Sequence, residues 1–252
     1  MSGGSRAHMH DALRSIRGGN LKGLSVLDLG CGYSCSDLRI ARRDGASLCV
    51  GLDLGEKPVR DVLRDEVNYV RGDICMGNLP FKDSSFDIAV MDAVIEHLQD
   101  PAAALSGVYR VLRPGGNFIL VTPNHASLKN RVKLMLGGSV YAPLTQWTTT
   151  ARFQKGGRTE FVGHVREYII QEIEIMLRNA GFKIISRQMY NVGMMADHSV
   201  SDATFGAGPD LFVESDSIER LSKSRFLLNI YGVVETLVPS WRYTIAVTAK
   251  KE

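Results

Sequence analysis

The sequence predicts an α/β fold built on a parallel sheet, and three observations predict it. Short apolar runs at 26–29, 48–52, 67–70, 86–91 and 117–122 read as buried strands with helical stretches between them. The first run, Val26-Leu27-Asp28-Leu29, leads into Gly30-Cys31-Gly32-Tyr33-Ser34, a glycine-bearing turn that opens a helix. The second run ends on Asp53, about 20 residues further along, where a nucleoside-binding α/β domain places an acid. Strands that alternate with helices imply parallel pairing, because a parallel connection needs a crossover long enough to hold a helix.

Residues 1–20 are rich in Gly, Ser and Arg around a short helical patch at 11–16 and read as a flexible N-terminal arm. Residues 21–252 read as one domain. After the strand at 26–29, a helix of about 10 residues is expected to stop at Gly45, which suits the position just past a helix end. Leu48 to Leu52, Val67 to Val70 and Phe86 to Met91 give the next three strands. Pro101 to Leu112 follows as a helix whose proline sits acceptably in its first turn, and Asn117 to Thr122 is the fifth strand.

Two insertions, about 124–167 and 190–240, exceed what a minimal domain needs, and long excursions of this kind usually carry function. In the first, Leu128, Val132, Met135 and Leu136 share one helical face, while Lys129, Arg131 and Lys133 lie away from it. In the second, residues 218–237 carry an apolar pattern. A helix packed on the domain is the favoured reading of both. Its rival is a surface that meets a membrane or an acidic, lipid-linked substrate.

Composition narrows the function classes. A chain of 252 residues with 44% hydrophobic content can bury a substantial core. A formal net charge of +3 gives no basic stripe, so nucleic-acid binding is not expected. Cys31, Cys35, Cys49 and Cys75 contain no Cys-x-x-Cys pair and are expected to be buried thiols rather than a zinc site or a disulfide framework. The N-terminus has no apolar leader, and no run reaches the roughly 18 apolar residues of a transmembrane segment, so the cytoplasm is the expected location.

Open parallel sheets bind ligands outside the carboxyl ends of their strands, and Gly30, Asp53, Asp73 and Asp92 all fall at such ends, where they should converge. A dinucleotide site would carry a third glycine at position 35, easing helix packing where a pyrophosphate meets the helix N-terminus. Here that position is Cys35, so a nucleoside without a diphosphate fits better. Asp53 can receive two ribose hydroxyls.

These residues are joined by further ordered blocks: Arg71-Gly72-Asp73-Ile74, Leu79-Pro80-Phe81, Ser85-Phe86-Asp87-Ile88-Ala89-Val90, Ile95-Glu96-His97-Leu98 with Asp100-Pro101, and Leu112-Arg113-Pro114-Gly115-Gly116. Together they resemble the class I S-adenosylmethionine-dependent methyltransferases, in particular the small-molecule branch of ubiquinone, sugar and natural-product types. The likeness covers roughly 20–125 and, more loosely, 163–182. It implies a Rossmann-like, doubly wound, seven-stranded sheet with an antiparallel last strand and helical insertions. That strand is placed at Trp241 to Ala249, beside Phe182 to Ser186.

The resemblance implies S-adenosyl-L-methionine as cofactor, bound by Asp28, Gly30, Gly32, Asp53, Leu54, Asp73, Ile74 and Asp92. Asp28 orders the loop or meets the cofactor's ammonium group. Asp73 takes the adenine amino group, Ile74 packs against the ring, and Asp92 either faces the sulfonium or caps the next helix. His97 is the first choice for a catalytic base, with His125 and His164 as rivals, since imidazole titrates near neutral pH. Some relatives hold a divalent metal with Glu-x-x-Glu-His, but this chain reads Ala93-Val94-Ile95-Glu96-His97, so no metal is expected. Arg166 either forks onto an anionic acceptor or pairs with Glu167 or Glu172.

The expected function is O-methylation of a small-molecule acceptor, with a hydroxyl on a sugar, quinone-like compound or natural product; a lipid-linked or glycan acceptor is the further substrate class. The alternatives are an NAD-dependent oxidoreductase and a non-catalytic S-adenosylmethionine-binding protein.

Overall fold

In the computed structural model the described residues are 7–32, 35–55, 67–75, 77–141, 152–155, 158–161, 164–190, 233–234 and 236–252. Tyr33, Ser34, Gly163 and residues 218–232 of the second apolar stretch lie outside them. The chain divides into two compact units. One takes in Arg6–Pro123, Val165–Gln188 and Ile245–Glu252, and the other takes in Asn124–His164 and Met189–Thr244.

The first unit is organised by a seven-stranded sheet. Its strands are β1 (Ser25–Leu29), β2 (Leu48–Asp53), β3 (Val67–Arg71), β4 (Phe86–Asp92), β5 (Leu112–Pro123), β8 (Phe182–Tyr190) and β9 (Thr244–Lys251). They lie in the order β3-β2-β1-β4-β5-β9-β8, with the first five parallel and the closing strands antiparallel. Every residue of β1 is buried, as a strand at the centre of a sheet covered on both faces must be. The register sets Leu29 beside Leu52, Asp53 beside Arg71 and Asp92 beside Val121, so the functional ends of four strands finish at one edge.

Helices α2 (Ser36–Arg43), α3 (Pro101–Val111) and α5 (Ile170–Asn179) bury Leu38, Leu105, Val108, Ile173 and Leu177. The start of α3 is fixed by Asp100, whose carboxylate accepts from the Ala103 amide at 2.9 Å, with Pro101 in the first turn where no amide is needed.

At the opposite end of the sheet, Asp87 ties three strands together. Its Oδ2 accepts from the Ser25 amide at 2.8 Å, the Ser25 hydroxyl at 2.7 Å and Arg113 Nη1 at 2.6 Å. Burial works against a charged Asp87, but the bonds from Arg113 and Ser25 outweigh it and hold the carboxyl below its usual range. Two of the ordered sequence blocks, around Asp87 and Arg113, therefore meet in one structural lock.

Two expectations change. The N-terminal arm, from Ala7 onward, contains the helix α1 (Ala7–Ser15) rather than a loose tail, because Met9, Ala12, Leu13 and Ile16 form a buried stripe at helical spacing. In the second unit, α4 (Leu128–Met135) does not bury its apolar face. Its buried residue is Asn130, which donates to the His125 carbonyl at 3.0 Å, while Leu134, Met135 and Leu136 are exposed. This unit also holds the antiparallel pair β6 (Arg152–Lys155) and β7 (Arg158–Phe161). No described helix is long and apolar enough to cross a membrane.

Replacing Asp87 with Ala should lower stability by about 1–2 kcal/mol, since it leaves Ser25 and Arg113 without their acceptor. Because the folded-state pKa is depressed, this contribution is present above the unfolded carboxylate value near pH 4 and is lost as pH falls through the folded value. Thermal melts of wild type and Asp87→Ala should converge in acid; parallel curves at all pH values would refute the lock.

Candidate active site

The strand order reverses between β1 and β4, which opens a crevice at their carboxyl ends. The loop leaving β1 begins at Gly30, whose amide donates to the Leu52 carbonyl at 2.7 Å. Gly30 has φ +80, and a Cβ there would lie 2.3 Å from Val94 Cγ2. Val94 follows Ala93, which is itself held at φ +53, an uncommon and strained conformation for a residue with a side chain. The β1 loop and the β4 loop are thus pressed together, and only glycine fits at position 30. Gly32, at φ +59, has open space where a Cβ would stand.

Asp53 straps this loop to the next. Its Oδ2 accepts from the Gly32 amide at 2.9 Å and its Oδ1 from the Gly55 amide at 2.6 Å. Its carbonyl accepts from Gly72 at 3.0 Å, which draws in the turn after β3. Both carboxylate oxygens keep a further lone pair for hydroxyl donors. In that turn Asp73 Oδ1 accepts from the Cys75 amide at 2.8 Å, and Ile74 is buried. Leu54, by contrast, is 47% exposed.

Asp28 is buried at the end of β1. Burial pushes its carboxyl well above the usual range, and Asp37, Asp92, Cys35 and Asp53 push it the same way. Asp37 occupies the first turn of α2, and Cys35 precedes that helix in a left-handed conformation. Several carboxylates therefore lie close to Asp28. A helix N-terminus with Asp37 in its first turn has little left for a diphosphate, whereas a cation beside these acids would be stabilised. Cys31, Cys35 and Cys49 are buried free thiols, and Cys75 is partly exposed.

Beyond β4 the chain makes a short 3-10 turn, Ile95–His97. Glu96 is fully buried there, accepting from the Thr122 hydroxyl at 3.0 Å through Oε2. Its carbonyl accepts from the Val165 amide at 2.8 Å and the Arg166 amide at 3.2 Å. Glu96 thus tethers both β5 and the segment that enters α5 to the turn carrying His97, which is half-buried. Sequence reasoning missed Thr122, Ala93 and Val94; the apolar neighbours Ala93 and Val94 carried no chemical signal. Arg166 pairs with Glu172 and lies over the Tyr168 ring at 5.4 Å. His125 and His164 belong to the second unit.

A methyltransferase domain family matches residues 27–120, the stretch from the middle of β1 to β5. Over that stretch the chain is similar to S-adenosylmethionine-dependent methyltransferases. It is 36% identical over 165 residues to a probable S-adenosylmethionine-dependent methyltransferase of Mycolicibacterium smegmatis, covering 64% of this chain and 53% of that protein. It is 28% identical to a demethylmenaquinone methyltransferase of Lactiplantibacillus plantarum, covering 69% of this chain and 76% of that one. The chain therefore spans about half the length of the first of these relatives. Among solved structures, an S-adenosylmethionine-dependent methyltransferase from Mesorhizobium loti superimposes with a TM-score of 0.60 at 20% identity, covering 99% of each chain. A Burkholderia thailandensis N-methyltransferase, crystallised with 1,6-didemethyltoxoflavin and S-adenosylhomocysteine, gives 0.56 at 15% identity, covering 98% of this chain and 78% of that one. Both share the fold of this chain.

Two outcomes test this geometry. Gly30→Ala should cost about 1–3 kcal/mol of stability, through both its φ and the Val94 contact, and adding Val94→Ala should recover part of it. Asp28→Asn should raise the melting temperature of the ligand-free protein above neutral pH by a few degrees. With a folded-state pKa raised above the unfolded value, the wild-type carboxyl's stabilising effect is complete below about pH 4 and is lost as pH rises through the folded value. Melting curves with no difference at any pH would mean that burial and the neighbouring acids do not raise the Asp28 carboxyl.

Proposed function

We propose that the protein transfers a methyl group from S-adenosyl-L-methionine to a small-molecule acceptor. The carrying observation is the buried Asp28 carboxyl at the end of β1, with Asp37, Asp92 and Asp53 near enough to act on it. Such a group of acids favours a ligand bearing an ammonium and a sulfonium, and it disfavours a nicotinamide dinucleotide, whose diphosphate it would repel. Asp53 would receive the ribose hydroxyls, Asp28 the ammonium, and Asp73 with Ile74 the adenine. Leu54, which is 47% exposed, would cover the nucleoside. The donor, when bound, supplies a methyl group on a positively charged sulfur.

The acceptor must be held in line with the carbon-sulfur axis, and positioning of this kind supplies most of the acceleration. His97, just past β4, would take the acceptor's proton on an imidazole nitrogen as the new bond forms. Attraction from Asp92 aids binding of the cationic donor, but it adds no rate unless it persists in the transition state.

O-methylation of a quinone-like, sugar or natural-product hydroxyl is the favoured reaction. Methylation of a ring carbon is the second reading, favoured by the likeness to a ubiquinone/menaquinone biosynthesis C-methyltransferase of Haemophilus ducreyi, 26% identical over 199 residues, covering 70% of this chain and 71% of that protein. Incubation with labelled donor and fractionated metabolite extract, followed by mass spectrometry, distinguishes the two: an ether methyl supports the first and a ring methyl the second. Asp53→Ala should weaken binding of S-adenosylhomocysteine by about 1–3 kcal/mol in calorimetry. His97→Ala should lower kcat by about 10²-fold or more with unchanged cofactor affinity. Unchanged affinity in the first variant, or full turnover in the second, removes the role assigned.

A further inference from the structure

We propose that the second unit docks on an anionic phospholipid surface through the C-terminal end of α4. Leu134, Met135 and Leu136 are three consecutive aliphatic side chains, exposed at 57%, 86% and 62%. Three adjacent exposed aliphatics at a helix end forgo burial that an internal contact would have provided. Just before them come Lys129, Arg131 and Lys133, and from Asn124 to Thr159 the sequence carries six Lys or Arg and no Asp or Glu. The charge of this stretch is thus of one sign, although the chain as a whole is nearly balanced.

The surrounding residue types suit a water-lipid boundary. Arg131 lies over the Trp241 ring at 4.9 Å, and Lys129 Nζ lies 5.6 Å from the centre of the Tyr243 ring. Trp and Tyr with an apolar body and a polar tip, beside basic side chains whose stems can lie along apolar surface, are the composition of a membrane interface. An aliphatic tip inserts among acyl chains, while each basic group near an anionic surface adds about five-fold in partitioning. Single-stranded nucleic acid would use the same charge, but it would leave Leu134, Met135 and Leu136 in water. The amphipathic pattern of α4 turns its apolar end outward because Asn130, anchored on the His125 carbonyl, occupies the buried side.

This inference is independent of methyl transfer, because its test contains no methyl donor. The full chain is sedimented with vesicles of phosphatidylcholine alone and of phosphatidylcholine with phosphatidylglycerol in equal parts. Binding is expected on the anionic vesicles, at least about ten-fold weaker on the neutral ones, and declining as salt is raised. Leu134→Glu with Met135→Glu should reduce binding about ten-fold or more while leaving the melting temperature and cofactor binding unchanged. Lys133→Glu should weaken it severalfold and flatten the salt dependence. No binding to anionic vesicles overturns the proposal, as does equal binding by the Leu134/Met135 variant. Retention of the wild type on single-stranded RNA but not on vesicles would assign the basic stretch to nucleic acid and overturn it equally. The salt titration needs no variant, so a misfolded substitution does not shield the proposal.

Discussion

Burial of the Asp28 carboxyl in the company of other acids is the constraint on which the candidate site of this protein depends. Asp28 sits on a strand whose every residue is buried, and its nearest ionisable company is acidic or thiol. A chain gains nothing from such an arrangement by itself, since burial and the neighbouring acids raise the cost of ionising Asp28. Under the proposed function, a positively charged nucleoside bound beside Asp28 would offset that cost.

The backbone that carries these acids is held by contacts of another kind. Asp53 spans two loops through amide donors, Gly30 admits Val94, and Glu96 links the His97 turn to β5 and to the entry of α5. Each joins segments that are far apart in sequence. The crevice is therefore shaped by the sheet topology, with β1 and β4 adjacent where the strand order reverses, and local propensity contributes little to it.

Much of the fold was legible because parallel strands announce themselves as apolar runs, and five runs fell close to the positions where strands lie. The extension of β5 back to Leu112 was hidden by Pro114-Gly115-Gly116, a triplet that reads as a turn. The N-terminal helix was obscured by glycine and serine on its flank, although Met9 and Leu13 stand at helical spacing. Glycines and acids at strand ends could be picked out as site residues because their chemistry is visible in one dimension. The burial of Glu96 and the pressure of Val94 on Gly30 could not, since both arise from segments brought together only by the sheet. In α4 the pattern identified the apolar face, but the direction in which it points was decided by Asn130, a polar residue whose anchoring bonds have no signature in sequence.

The lock formed by Asp87, Ser25 and Arg113 lies at the far end of the strands from Asp28 and Asp53. Its position gives β1, β4 and β5 an anchorage of their own, separate from the contacts that hold the loops of the candidate site. Changes at the exit that keep Gly30, Asp53 and Glu96 in place therefore leave the entry-side anchorage of β1, β4 and β5 untouched.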